Sequence, residues 1–357
     1  MRDRRPKTKS EVIADELRRR ILAGEFEGGR LPPEPELMAH FNVSRKPILN
    51  AMAMLSAEGL LKRVKGTGTF IDGGSPIDIV HRLVVVAMPL HGHYFADLHK
   101  SVSKGLEERN LFPVGVDFST VKSASLAQKA NLATLLGSPV RGAIIYGSGY
   151  WAYPLLDSVR SIRSVVVDFY DNSGKPPWAA ALVDYEEGAY RLGRHLLETG
   201  RRRLLFVSSP TNHNGEPAAS HRANHPRWQL EKGLRRAIGT FGDGSLAFEG
   251  VNPEATDAAA QIGAVLEQPA DAIVCNADFI AAMFCEAALA KGKRIPEDLA
   301  VTGCYNTDWV DRSPVPLTSI DPLPAELGSL AVELLDKGRS EVRKIAPVVK
   351  IRRSSAL

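Results

Sequence analysis

Hydrophobic positions near the start of the chain follow a helical period. Val12, Ile13, Leu17, Ile21 and Leu22 recur at helix spacing behind Thr8 and Glu11, which have the T-x-x-E spacing of a capping box. Gly24 is expected to stop this helix, and Gly28-Gly29 to turn the chain. Leu31-Pro32-Pro33-Glu34-Pro35 opens a second helix carrying Leu37, Met38 and Phe41; proline is tolerated there because first-turn N–H groups have no intrahelical partner. Ser44 reads as the N-cap of a third helix, whose buried face is Ile48, Ala51, Met52 and Leu55. Leu60-Leu61 and Thr69-Phe70-Ile71 then read as two strands around a basic, Gly-rich tip. Three helices and a hairpin in this order predict a winged helix. The third helix would present Ser44, Arg45 and Lys46 to a DNA major groove. Lys65, Gly66, Thr67 and Gly68 would approach the minor groove or flanking phosphates, since glycine lets backbone come close.

Asp72-Gly73-Gly74-Ser75-Pro76 reads as a short linker. Beyond it the period alternates between strand and helix. Strands are expected at Leu83–Ala87, Val114–Phe118, Ala143–Tyr146 and Ser164–Asp168, and helices near Phe95–Glu108, Leu126–Leu136 and Pro154–Val159. A second round has strands at Leu204–Val207, Leu246–Phe248, Ala272–Val274 and Leu299–Thr302. Its helices fall at Tyr185–Glu198, Trp228–Ile238, Thr256–Leu266 and Ile280–Lys291. Apolar strands alternating with helices predict an α/β fold with parallel sheets covered on both faces. Two rounds predict two similar lobes with a ligand cleft between them, outside the carboxyl ends of the strands. The expected division is 1–72, a linker at 73–80, and 81–357.

Charge sharpens this picture. Residues 1–72 hold 14 Lys and Arg against 10 Asp and Glu, and the whole chain has a net charge of +4. All the excess therefore lies on the first fifth of the chain, which suits phosphate attraction by that segment alone. The N-terminus shows no apolar targeting core, and Leu83–Met88 is far too short to span a membrane. Cys275, Cys285 and Cys304 form no C-x-x-C pair and read as reduced, buried thiols, so a cytoplasmic location is expected.

Several motifs in the right order carry a family resemblance. Leu31-Pro32-x-Glu34-x-Glu36-Leu37, Val43-Ser44-Arg45-x-Pro47, Glu58-Gly59-Leu60-Leu61 and Gly66-Thr67-Gly68-Thr69-Phe70 resemble the GntR-type winged helix nearly end to end. Family members usually carry Arg at the positions of Pro35 and Leu49, and both arginines typically contact DNA. Their absence points to a different operator. The larger part resembles the effector domain of the LacI/GalR family, a type I periplasmic-binding-protein fold. The matching segments are Val166-Val167-Asp168, Val183-Asp184-Tyr185-x-x-Gly188, His195-Leu196-Leu197-x-x-Gly200, Gly233-Leu234, Asp278-x-x-Ala281, Ile295–Val301-x-Gly303 and Leu317-Thr318-Ser319-Ile320. A GntR-type head on such a body resembles the arabinose-repressor subgroup.

That resemblance implies a ligand-responsive regulator, a repressor of carbohydrate use, binding double-stranded operator DNA as a homodimer. Its effector would be a sugar or sugar derivative. The pocket departs from the sugar-binding pattern in three places. Leu230 stands where Arg is usual, Ala277 where Asn is usual (Asn276 lies one step off), and Tyr305 where Asp is usual. Candidate effector contacts are therefore Tyr94, Phe95, Tyr146, Ser148, Asp168, Arg227, Trp228, Asp278, Tyr305 and Asn306, aromatic walls with a few polar groups. The alternative readings are plain core for Tyr94 and Phe95, a helix cap for Asp168 and a surface residue for Arg227.

Catalysis is not expected. No G-x-S-x-G elbow or Walker loop is present, and Gly147-Ser148-Gly149 is an ordinary short glycine turn. His91-Gly92-His93 alternates like two metal ligands but has no acidic or Cys partner close in sequence, so neither metal nor cofactor is expected. The competing reading is a small-molecule receptor without DNA function.

Overall fold

The computed structural model describes the chain apart from residues 1–7, 23–24, 27–28, 59, 65–66, 72–81, 91, 118–125, 139, 148–161, 171–175, 210–224 and 357. It divides into two units: a head, Met1–Leu83 with Ser138–Arg141, and a body, Val84–Gly137 with Gly142–Leu357. Gly24, Gly28, Lys65, Gly66, the 73–80 linker, Ser148, His91 and the helix expected near 154–159 fall outside the described residues.

The head contains α1 (Lys9–Leu22), α2 (Glu34–Phe41), α3 (Arg45–Ala57), β1 (Leu61–Val64) and β2 (Gly68–Ile71). The capping box closes as its spacing requires. The Thr8 amide donates to Glu11 Oε2 at 2.7 Å, and the Glu11 amide donates to Thr8 Oγ1 at 3.3 Å. Asn42 ends α2 in the left-handed region (φ 48°), where asparagine is tolerated, and so turns the chain into α3. The hairpin pairs antiparallel from Leu61 with Ile71 to Val64 with Gly68. Ile13, Leu17, Ile21, Leu37, Ile48, Leu55 and Leu61 fill one apolar core. All but Leu61 lie on the helices, so the helical period and the core are one observation. Arg18 ties α1 to the end of α3 through a two-pronged ion pair with Glu58, at 2.8 and 2.6 Å.

The body is built on two six-stranded sheets. The first has the order β13-β7-β6-β5-β3-β4: β3 (Leu83–Met88), β4 (Phe112–Asp117), β5 (Gly142–Tyr146), β6 (Arg163–Asp168), β7 (Ala179–Val183) and β13 (Val342–Ile345). The second has the order β14-β12-β11-β10-β8-β9: β8 (Arg203–Ser208), β9 (Ser245–Gly250), β10 (Ala272–Cys275), β11 (Ala300–Cys304), β12 (Thr318–Asp321) and β14 (Val348–Lys350). The helices are α4 (His93–Glu107), α5 (Leu126–Gly137), α6 (Tyr185–Glu198), α7 (Pro226–Phe241), α8 (Ala258–Leu266), α9 (Asp278–Ala290), α10 (Trp309–Arg312) and α11 (Pro324–Lys337). Central strands such as β5 and β10 are buried along their whole length, as covered parallel sheets require.

Two expectations need correction. The lobes are not two consecutive rounds: the chain crosses between them after β7, again between β12 and α11, and finally between β13 and β14. The helix α11 packs on α4, β5, β6 and β7, so residues from the far end of the sequence complete the first lobe. Pattern reading missed β7, α11, β13 and β14, because β7 is mostly alanine and the last strands pair only through the crossovers. The second sheet is also not wholly parallel, since β14 runs antiparallel to β12. The crossovers are tightly held. The Asp184 amide donates to the Ile345 carbonyl at 2.9 Å, and a Cβ on Gly188 would stand 2.6 Å from Pro347 Cγ.

Candidate functional site

The head's exposed chemistry gathers at the N-terminus of α3. Ser44 occupies the N-cap position with extended backbone, but its hydroxyl makes no capping bond. The first-turn N–H groups of α3 therefore keep the partial positive charge that favours an anion. Arg45 and Lys46 are exposed on that turn. Glu34, at the start of α2, lies between two arginines: Arg45 Nε donates to Oε2 at 2.8 Å, and Arg63 Nη2 from β1 donates to Oε1 at 3.0 Å. Both arginine side chains remain 65 % exposed. On the wing, Thr67 is exposed, and Gly68 (φ 136°) sits where a Cβ would be 3.0 Å from the Arg30 guanidinium. Arg30 donates to the Thr67 carbonyl at 2.6 Å and so braces the tip from below. Sequence reading gave no role to Arg30 or Arg63, because each acts on a residue distant along the chain.

In the body, the carboxyl ends of β5 and β11 and the segments that follow β3 and β10 border a cavity of about 460 Å3; Asp168, at the end of β6, is not among its lining residues. Its aromatic walls are Tyr94 and Phe95 from the first turn of α4, Tyr146 at the end of β5, Phe279 from α9, Tyr305 after β11 and Trp309 from α10. The rings interlock: Tyr94 and Tyr305 lie 5.2 Å apart between centroids, and Phe95 and Tyr146 lie 5.0 Å apart. Tyr94 stands on the first lobe and Tyr305 on the second, so this contact spans the cleft. At the rim, His93 Nε2 from the first lobe lies 3.0 Å from Asp308 Oδ2 on the second, and Arg312 holds the same oxygen at 2.7 Å.

Asp168 sits behind the tyrosines with none of its surface exposed. One carboxylate oxygen accepts the Tyr185 hydroxyl at 2.7 Å, while the other accepts no hydrogen bond, and the buried Tyr94 hydroxyl also lacks a partner. Burial pushes the Asp168 carboxyl up to about 6, although the hydroxyl dipoles of Tyr185, Tyr146 and Tyr94 act against that rise. Asp168 (φ 81°), Tyr305 (φ 88°) and Asn306 (φ 47°) all adopt left-handed backbone at strand ends beside the cavity. Non-glycine residues held this way are strained, and such strain gathers at functional sites.

Asp278, unlike Asp168, lines the cavity, but its oxygens are engaged. Oδ1 accepts Ser319 Oγ at 2.6 Å, and Oδ2 accepts the Thr307 amide and hydroxyl at 2.7 and 3.0 Å. Burial pushes its carboxyl to about 6 as well, against those hydrogen bonds. Gly303 makes this arrangement possible, because a Cβ there would lie 2.2 Å from Asp278 Oδ1. Of the remaining candidates, Asn306 faces the sheet edge, donating to Asp321 Oδ2 at 3.0 Å and accepting Arg352 Nη2 at 2.8 Å. Arg227 and Trp228 lie on the first turn of α7, stacked at 5.0 Å, and are not among the residues lining the cavity. Sequence reading gave no site role to Tyr185, Phe279, Asp308 or Trp309, although Tyr185 and Phe279 lie within the Val183-Asp184-Tyr185 and Asp278-x-x-Ala281 motifs and Asp308 and Trp309 follow shortly after Tyr305 and Asn306. Burial raises the thiols of Cys275, Cys285 and Cys304, all free, and among the described residues no cluster could hold a metal ion.

Comparison with known proteins agrees with both units. Residues 9–71 match the model for bacterial regulatory proteins of the gntR family, and residues 194–355 match the periplasmic binding protein-like domain. The chain is 22 % identical over 329 residues to the arabinose metabolism transcriptional repressor of Geobacillus stearothermophilus, covering 88 % of this chain and 86 % of that one. It is 24 % identical over 350 residues to the repressor of the same name from Halalkalibacterium halodurans, covering 94 % and 91 %. The crystal structure of transcription regulator CcpA of Lactococcus lactis superposes with a TM-score of 0.63 at 18 % identity, over 77 % of this chain and 99 % of that one. Among the described residues no helix is long and apolar enough to cross a membrane. The chain thus pairs a segment similar to the gntR-family regulatory proteins with one similar to the periplasmic binding protein-like domain, and is similar over most of its length to transcriptional repressors.

Proposed function

We propose that this protein is a cytoplasmic, ligand-responsive transcriptional repressor that binds a palindromic operator as a homodimer. The observation that carries this reading is the pairing, in one chain, of a cationic α3 N-terminus with an aromatic cleft. Arg45 and Lys46 reach base edges or phosphates, and Ser44 with the first-turn amides fixes the helix on the backbone. The wing tip, Lys65 to Gly68, follows the adjacent groove. Arg63 adds a cation from β1, held by Glu34 in the free protein. The head comprises 1–72, a linker follows at 73–80, and the body at 81–357 dimerises and binds effector. A sugar or sugar derivative is the effector class suggested by the repressors to which the chain is similar.

Effector and apoprotein states differ in how the lobes meet. The Tyr94–Tyr305 stack and the His93–Asp308 pair both join one lobe to the other, so a ligand seated among them binds the two arrangements unequally. In a dimer, altered lobe closure changes the spacing of the heads, and half-site geometry tolerates little error. The test is a gel shift on the promoter-proximal DNA of the protein's own gene across a salt series. Specific retardation that weakens steeply with salt, by counterion release, is expected. Absence of any preferred duplex at low salt would leave a receptor without DNA function. Sedimentation velocity decides the dimer.

A further inference from the structure

We propose that the cleft selects an organic cation, an amine or quaternary ammonium group carried on a small ring or chain, with Asp168 as its counter-charge. The inference rests on the regulator reading above and replaces the sugar class that similarity suggests there with a different effector chemistry. The first observation is a buried carboxylate that tyrosine hydroxyls face but no counter-ion neutralises. Asp168 has no exposed surface, no basic side chain pairs with it among the described residues, and one of its oxygens accepts no hydrogen bond. A buried charge is costly unless an opposite charge joins it.

The second observation is the wall in front of that carboxylate. Tyr94, Tyr146 and Tyr305 line the cavity and lie against Asp168, which does not itself line it, and Phe95, Phe279 and Trp309 add further aromatic walls. Ring faces carry negative quadrupole charge and attract cations, most strongly where water is excluded. Among the described residues no local cation reaches Asp168: Arg312 pairs with Asp308 and lies over the Trp309 ring at 5.9 Å, and Arg352 is held by Asn306 and the Leu317 carbonyl. The third observation concerns neutral polyols. Asp278 and Thr307 already satisfy each other, and Leu230, Ala277 and Tyr305 stand where forked hydroxyl-binding side chains are usual. A polyol's hydroxyls would have to compete for polar groups already paired with one another, whereas a cation needs only charge and ring faces.

The full-length protein is titrated with choline, with dimethylbutanol (choline's uncharged carbon isostere), with benzyltrimethylammonium and with L-arabinose, following melting temperature and heat of binding. At least one ammonium probe is expected to bind and to raise the melting temperature, with choline at least tenfold tighter than dimethylbutanol and arabinose silent. Asp168→Asn keeps an acceptor for Tyr185 and is expected to abolish the preference for charge. Trp309→Ala, at a 40 % exposed rim position that the fold tolerates, is expected to weaken ammonium binding severalfold. Equal binding of the isostere, tighter binding of arabinose, silence with both ammonium probes, or an unchanged charge preference in Asp168→Asn would overturn the inference. DNA retardation measured on the same samples separates the two readings. A protein that binds its operator and ignores cations loses only the ligand class, while one that binds no duplex loses the regulator assignment.

Discussion

Replacing Asp168 with asparagine should stabilise the body at neutral and alkaline pH, which is the opposite of the usual result for a buried, hydrogen-bonded residue. The carboxyl titrates at about 6 in the fold and near 3.8 when unfolded. The folded state thus holds the proton more tightly. Its penalty is absent below about pH 3.8, grows as pH rises through the window between the two values, and is complete above about 6. The difference of about 2 between the folded and unfolded values, at 1.36 kcal/mol per pH unit, gives roughly 3 kcal/mol. Full burial means solvent does not dilute that figure, and the groups facing the carboxylate are the hydroxyls of Tyr94, Tyr146 and Tyr185, with Tyr305 alongside. Asparagine removes the charge and still accepts from Tyr185. Urea unfolding followed by tryptophan fluorescence reads the body alone, since Trp151, Trp178, Trp228 and Trp309 all lie in it. The expected difference between Asp168→Asn and wild type is about 3 kcal/mol at pH 8, shrinking towards zero near pH 4. A difference that does not change with pH, or a variant less stable at pH 8, would refute the idea that desolvation dominates this site.

Other consequences follow from single contacts. Gly303→Ala should destabilise the body by more than about 2 kcal/mol in the same assay, because its Cβ would displace the Asp278 carboxylate and free three donors. Arg45→Ala should cost roughly 1–3 kcal/mol of operator binding in a gel shift. The same substitution should barely move the head's stability, because its ion pair with Glu34 is exposed on the arginine side. Thr8→Ala should lower head stability by about 1 kcal/mol in thermal unfolding followed by far-ultraviolet circular dichroism, through loss of the capping box.

The head was largely legible because its rules are local. A capping box, a proline-opened helix and an i, i+3, i+4, i+7 face each act within a few residues, and the structure places α1, α2, α3 and the hairpin accordingly. The α6 bounds, Tyr185–Glu198, coincide with the expected helix for the same reason: Asp184 caps it and an apolar stripe runs its length. Candidate contacts were legible only as a list. Tyr94, Phe95, Tyr146, Asp278 and Tyr305 meet at one cavity, whereas Asn306 faces Arg352 and Asp321, and Arg227 stacks on Trp228.

Residue order alone determined the head's elements, the central strands of the body, most of its helices and where positive charge collects, since hydrophobic period and capping need no distant partner. Tertiary structure decided everything that depends on which ends meet. It carried α11 and β13 back to the first lobe, set Tyr185 against Asp168 and Gly303 against Asp278, and held Arg45 and Arg63 to one glutamate. The physical reason is that burial and electrostatics depend on distance through space, and a carboxylate's environment is fixed only when all three crossovers have closed the two sheets around it.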